Sequence, residues 1–218
     1  MANFGAIFDW DGMIIDSSAQ HERSWELLAA ERQLPLPEGH FKRGFGKKNE
    51  VIIPDLGWAT DPAEVHELGL RKEALYRELV RRDGVTPLPG ARELLAALRD
   101  ADVPCAVGSS THRENIETIF EATGLRPFFA AVITGEDVTH GKPAPDVFLA
   151  GAERIGLPPG RCVVFEDAFV GIDAAHAGGM KCVAVATTNP LEALIPRAEL
   201  AVASLEEVTV ARLAELIG

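Results

Sequence analysis

Asp9 and Asp11 stand two residues apart at the end of the apolar run FGAIF, which reads as a buried β-strand. In an extended backbone, residues i and i+2 project to the same side, so both carboxylates can converge on one metal ion or one reacting group where the strand meets its loop. Gly12 follows and lets the chain turn sharply. Two buried like charges repel, so the pair calls for a counter-charge such as a cation. Taken alone, D-x-D-G reads equally well as a simple turn. A calcium loop fits less well. An EF-hand needs a third acid before the Gly and a later Glu, after a helix, and the sequence meets neither condition.

Three further polar groups follow apolar runs of their own. VPCAVGSST ends in Ser109, Ser110 and Thr111, the stretch AVITGEDVTHGKPAPD carries Lys142 in a Gly-Lys-Pro turn, and CVVFEDAFVG ends in Glu166 and Asp167. Ligands of open α/β sheets bind at the carboxyl ends of the strands, so four polar groups delivered to one edge make one pocket. In isolation Ser109 is also a helix cap and Lys142 a solvated turn lysine. Their company is the signal.

The elements that must hold these groups alternate along the chain. Strands are expected near 103–108, 130–134, 162–166, 181–186 and 200–203, with helices over ARELLAALRD, THRENIETIFEATG, PDVFLAGAERIG and GIDAAHAGG. Thr111 with Glu114, and Ser204 with Glu207, form capping-box patterns. This alternation implies an α/β fold with a doubly wound parallel sheet, a Rossmann-like core. Residues 17–86 differ: Ser17 or Ser18 can cap a helix bearing His21, Trp25 and Leu28, and Asp61-Pro62-Ala63-Glu64 opens another that carries Val65, Leu68, Leu75 and Leu79 up to Asp83-Gly84. The expected organisation is a core domain of 1–16 and 87–218 interrupted by a helical cap domain of 17–86.

Composition limits the alternatives. At 218 residues the chain can bury one sizeable core or a core with a small second module. No apolar run approaches the roughly 20 residues a membrane helix needs, and no signal peptide is evident, so a cytoplasmic protein without a membrane partner is expected. Cys105, Cys162 and Cys182 are odd in number, lack C-x-x-C spacing and fall at predicted strands, which suits small buried hydrophobes in a reducing compartment. A net charge of −12 argues against a nucleic-acid partner. An anionic substrate would instead need positive charge concentrated locally, and a basic run spans 42–48.

FDWDGMIIDS, VGSST, GKPAPD and FEDAFVGIDAAHAGGM, in that order, resemble the four motifs of the haloacid dehalogenase-like hydrolases, in the branch of sugar phosphatases and β-phosphoglucomutase. The resemblance covers nearly the whole chain and implies an α/β core with an inserted α-helical cap. It implies a Mg²⁺-dependent phosphohydrolase that acts on a small phosphomonoester, a sugar phosphate, through an aspartyl-phosphate intermediate. By the same resemblance Asp9 is the nucleophile, Asp11 the general acid and base, and Ser109 and Lys142 the groups that clamp the phosphoryl oxygens. Asp9, the backbone carbonyl of Asp11, and Asp167 hold the metal, with Glu166 in support.

In the cap, His21 and Trp25 resemble the substrate-facing helix of β-phosphoglucomutase, while Gly44 and Lys47 sit where that family carries a basic phosphate-binding residue, usually Arg; with Ser110 and Thr111 they complete the substrate-binding set. Arg71 falls near a cap lysine of the mutase. Packing for His21 and Trp25, and a solvated basic loop for 42–48, remain open readings. A phosphomutase is the alternative activity. A non-enzymatic phospho-binding protein is a weaker one, since no catalytic position is lost and a receiver domain would be about half this length without the insert. The dehalogenases themselves lack the second Asp, so Asp11 favours phosphate chemistry. A monomer or weak dimer is expected.

Overall fold

The computed structural model describes residues 4–44 and 47–218. Phe45 and Gly46, inside the basic run, lie outside the described residues. The described chain divides into two compact units, one spanning Ser17–Gly84 and the other made of the remaining residues on either side of it.

In the larger unit, six parallel strands form one sheet: β1 (Gly5–Phe8), β2 (Cys105–Gly108), β3 (Ala131–Ile133), β4 (Cys162–Glu166), β5 (Lys181–Val185) and β6 (Leu200–Val202), in the spatial order β3-β2-β1-β4-β5-β6. Strand β1 is central, with Ala6 opposite both Cys105 and Val163 and Phe8 opposite both Val107 and Phe165. All four of its residues are buried, as a strand covered on both faces requires. Phe8 stacks on Phe165 at 4.3 Å and meets Phe129 edge-on at 6.1 Å. Chain order places β2 and β3 on one side of β1 and β4 to β6 on the other, so β1 lies where the winding reverses, and crevices open there at the carboxyl ends of the strands.

Among the described residues, four helices occupy the smaller unit, α1 (Ser18–Arg32), α2 (His40–Gly44), α3 (Asn49–Asp55) and α4 (Pro62–Asp83). Its core gathers Trp25, Leu28, Ile53, Trp58, Val65, Leu68 and Leu75. Asp61 Oδ1 accepts from the amides of Ala63 and Glu64, with Pro62 opening α4 as the sequence indicates. The basic run is less of a loop than its composition suggests, because α2 and α3 flank its undescribed centre. Returning to the sheet, the chain pairs Ile15 with Pro87, and the Leu88 amide donates to the Ile14 carbonyl at 2.9 Å.

Helices α5 (Ala91–Asp100), α6 (Arg113–Thr123), α7 (Asp146–Arg154), α8 (Phe169–Ala177), α9 (Leu191–Leu194) and α10 (Val210–Ile217) belong to the sheet unit. Ile7, Phe148, Val164, Ile172 and Cys182 share one of its apolar clusters. The Ser204–Glu207 capping box forms, but around a single 3-10 turn rather than an α-helix. The Thr111–Glu114 box does not form. Helix α6 starts at Arg113 behind His112, one residue later than a cap at Thr111 would place it, and His112 makes no side-chain cap. Cys105, Cys162 and Cys182 are free and buried, and burial pushes the first two thiols up to about 12 and about 11. Among the described residues, no helix is long and apolar enough to cross a membrane.

Candidate active site

Beyond Phe8 the chain stays on the sheet for one more bond, as the Asp9 amide donates to the Phe165 carbonyl at 3.0 Å, and then turns. Trp10, fully buried against Phe120 and Phe129, anchors the turn. Gly12 completes it at φ 78°, and a Cβ there would also collide with the Asp167 carboxylate.

Three carboxylates converge above β1 and β4. One oxygen each from Asp9, Glu166 and Asp167 lies within 4.8 Å of the others. Lys142, brought in by the β3–α7 loop, stands between two of them, with Nζ 2.6 Å from Asp9 Oδ1 and 2.6 Å from Glu166 Oε1. Its ammonium also lies 4.6 Å from the centre of the Phe148 ring. Glu166 is 1% exposed and fully engaged: Oε1 accepts from Lys142, and Oε2 accepts from the amides of Asp167 and Ala168, each at 2.9 Å. Gly171 makes this possible, since a Cβ there would overlap the Glu166 carboxyl group. Asp9 and Asp167 are held differently. Among the described residues, Lys142 meets only Oδ1 of Asp9, and hydroxyl donors meet only Oδ2 of Asp167.

The electrostatics follow from three buried acids sharing one ammonium. Burial drives Asp9 up to about 7; Lys142 pulls it down while Glu166 and Asp167 push it further up. Asp167 rises to about 6, chiefly by burial and then by Glu166, against donations from Thr188 and Thr187 and the charge of Lys142. Burial opposes the charge on Lys142, yet Asp9 and Glu166 outweigh it and hold its pKa above the usual lysine value. The cluster is therefore short of positive charge. An oxygen-only donor set of this kind suits a hard divalent cation, and the cluster fits one.

Asp11 is partly exposed, and its Oδ2 accepts from Thr111 Oγ1 at 2.5 Å. Ser109 is 2% exposed at the end of β2, its amide donating to the Ile133 carbonyl at 3.0 Å and its Oγ accepting from the Thr111 amide at 3.2 Å. Ser110 is exposed beside it. The structure thus brings Asp9, Lys142, Glu166 and Asp167 into one cluster, and links Asp11, Thr111 and Ser109 by hydrogen bonds.

The remaining expected residues lie in the other unit. Trp25 belongs to that unit's own core, tilted against Trp58 at 5.6 Å. His21 stacks on Tyr76 at 4.0 Å, and its Nδ1 is 2.7 Å from Lys72 Nζ. Gly44 ends α2, and exposed Lys47 pairs with Asp55 at 2.9 Å. Arg71 faces outward, in ion pairs with Glu31 and Glu78; its neighbour Lys72 is the buried cation, 3.0 Å from Glu73 and 5.4 Å from the Trp25 ring. Lys72 was hidden in the charge run Arg71-Lys72-Glu73, yet it fills the gap between Leu68 and Leu75 in the apolar series of α4. Thr187, Thr188 and Asn189, all bonded to Asp167, lie outside the motifs, although they follow a strand end just as the motifs do.

A model of the haloacid dehalogenase-like hydrolases matches residues 5–179. The chain belongs to that family. Its relatives include the chloroplastic 5-amino-6-(5-phospho-D-ribitylamino)uracil phosphatase of Arabidopsis thaliana, 38% identical over 97% of this chain, which spans only 57% of that protein. A fructose-1-phosphate phosphatase of Escherichia coli is 34% identical, with 83% of this chain and 95% of that one covered. Among solved structures, a haloacid dehalogenase-like hydrolase of Entamoeba histolytica superposes with a TM-score of 0.88 at 25% identity, covering 98% of this chain and 99% of that one. The family membership and the fold, a Rossmann-like α/β sheet with a helical insertion, are therefore as the motifs indicate.

Proposed function

We propose that this haloacid dehalogenase-like hydrolase is a Mg²⁺-dependent phosphatase that cleaves a small sugar phosphate through a phosphoryl group carried on Asp9. The observation that carries this reading is the crowding of Asp9, Glu166 and Asp167 around the single ammonium of Lys142, which leaves room in the charge balance for a cation and then for an anionic phosphoryl group. Asp9 and Asp167 are the side chains that would hold the metal, since Glu166 already has a donor on each oxygen. When bound, Mg²⁺ supplies charge neutralisation for phosphoryl oxygens that gain negative character during transfer.

The residues then divide the work. The Asp9 carboxylate attacks phosphorus, and the bond to the ester oxygen breaks. Asp11 delivers its proton to the departing alkoxide, a role that Thr111 supports by holding the Asp11 side chain by hydrogen bond. Asp11, now a carboxylate, takes a proton from water as that water attacks phosphorus, so that the bond to Asp9 breaks and phosphate leaves. Lys142 pulls Asp9 toward its ionised, nucleophilic form against the effect of burial, and the Ser109 hydroxyl receives a phosphoryl oxygen.

Transfer to water is favoured over return to substrate because Lys47 stands where the mutase branch usually carries an Arg, whose planar fork would grip a second phosphate bidentately. The names of the two relatives, a phosphoribityl compound and a fructose phosphate, support a polyhydroxylated phosphate ester. The test is a panel of sugar phosphates with Mg²⁺, scored for free phosphate and separately for isomerised product. Steady phosphate release is the expected result. Isomerisation without comparable release would replace the phosphatase with a mutase.

A further inference from the structure

We infer that the turn after β5, Thr187-Thr188-Asn189, is a positioning device for Asp167 that sets the affinity of the pocket for its divalent cation. The inference rests on the metal-dependent reading above and extends it to residues that the motifs do not include.

Three consecutive side chains converge on one acid. Thr188 Oγ1 donates to Asp167 Oδ2. Thr187 Oγ1 lies 3.2 Å from the same oxygen and 2.5 Å from the Gly12 carbonyl. Asn189 Nδ2 donates to the Asp167 carbonyl at 2.9 Å. Both the carboxylate and the backbone of Asp167 are thus held from a turn that belongs to a different strand, and Thr187 joins the same assembly to the Gly12 turn that follows Asp11.

The pattern is one-sided. Both hydroxyls approach Oδ2, and no hydrogen bond among the described residues reaches Oδ1. A carboxylate held in this way cannot turn freely about its side-chain bonds, and it offers a cation one defined oxygen. Ordering that side chain before the metal arrives removes part of the entropy that binding would otherwise cost. The hydroxyls also fix the ligand's orientation, as outer hydrogen bonds do at metal sites generally. Thr188 is accordingly a positioning residue; it need not touch the metal or the substrate. Its residue is exposed, which explains why a purely apolar reading of the strand end passes over it.

The test measures metal binding directly. Free Mn²⁺ is followed by electron paramagnetic resonance as protein is added, and Mg²⁺ competes for the same site. Thr188→Val, which keeps shape and removes the hydroxyl, should weaken Mn²⁺ and Mg²⁺ binding about 10–100-fold, while Thr188→Ser should stay close to the wild type. Circular dichroism and melting in chelator check that each variant is folded, and Thr188→Ala carries the same expectation where valine is not accommodated. A folded Val or Ala variant that binds Mn²⁺ as tightly as the wild type overturns this inference and leaves the proposed function standing. Wild-type protein that binds no Mn²⁺ overturns both.

Discussion

The two units gather their polar side chains by different physical means. Around Asp9, the groups come from separate strand ends of one parallel sheet: Lys142 is 133 residues away in sequence and Thr111 stands 100 residues from its partner Asp11. In the helical unit, α1 and α4 bring His21 to Lys72, and other charges sit in exposed pairs such as Arg71 with Glu31 and Lys47 with Asp55. Strand register fixes positions to within the spacing of a ladder, whereas exposed ion pairs contribute only about 0–1 kcal/mol each. The sheet can therefore hold a reaction geometry, and the helices can change their surface charges at little cost in stability.

The largest expected effect lies in the sheet unit. Asp9→Asn should abolish turnover while leaving the circular dichroism spectrum intact, and Asp11→Asn should lose roughly 10²–10⁴-fold in kcat, the usual range for an acid–base residue. Near-normal turnover by either variant would remove the distinction between a reacting core and a supporting cap.

The same deletion made in both units sharpens the comparison. Lys142→Met removes the ammonium shared by Asp9 and Glu166, and Lys72→Met removes a buried cation from beside Glu73. Each should cost about 3–5 kcal/mol in denaturant unfolding, the usual penalty for breaking a buried pair from one side. Only Lys142→Met should also silence hydrolysis of p-nitrophenyl phosphate. Equal loss of that activity in both variants would show that the reaction depends on the helical unit as much as on the sheet.

Metal-free stability should depend on pH through the core acids. Asp9 moves from 3.8 to about 7 and Asp167 from 3.8 to about 6, so the folded state binds more protons than the unfolded state between these limits. Folded pKa values above the unfolded ones mean that stability falls as pH rises from about 4 to about 7. Melting temperatures in chelator should therefore drop across this window, and Asp9→Asn should flatten the curve. A metal-free melting temperature that rises over the same window would contradict the crowding of acids described above.

The smallest effect belongs to the cap surface. Lys47 and Asp55 are 45% and 56% exposed, so Lys47→Ala should change unfolding free energy by no more than about 1 kcal/mol. A larger loss in urea titrations would mean that the basic segment is structural.

This contrast also explains what could be read from the sequence. The sheet and most of its helices were legible because buried strands leave continuous apolar runs, and Asp9, Lys142, Glu166 and Asp167 were legible because they close those runs or the loop that follows. The pattern Thr-x-x-Glu suggests a cap at Thr111, but α6 begins one residue later behind His112, and local spacing does not reveal that the Thr111 hydroxyl donates to Asp11, 100 residues away. Thr187, Thr188 and Asn189 are harder to recognise because Thr-Thr-Asn-Pro is also ordinary turn chemistry, although they follow β5 as the other site residues follow β1, β2 and β4. In the helical unit, α2 and α3 are too short to show a period, and α3 contains Pro54. Buried Lys72 was concealed by charged neighbours, although its place in the series Leu68, Lys72, Leu75, Leu79 marks the inward face.

The central claim is that Asp9 carries the phosphoryl group. Enzyme turning over a sugar phosphate with Mg²⁺ can be quenched in acid, reduced with borohydride and digested, because reduction converts an acyl phosphate to an alcohol that peptide mass spectrometry locates. The expected result is reduction at residue 9 alone, dependent on substrate and absent from Asp9→Asn. Active enzyme that yields no reduced residue under conditions that trap a control acyl phosphate, or reduction at another carboxylate, would contradict the account.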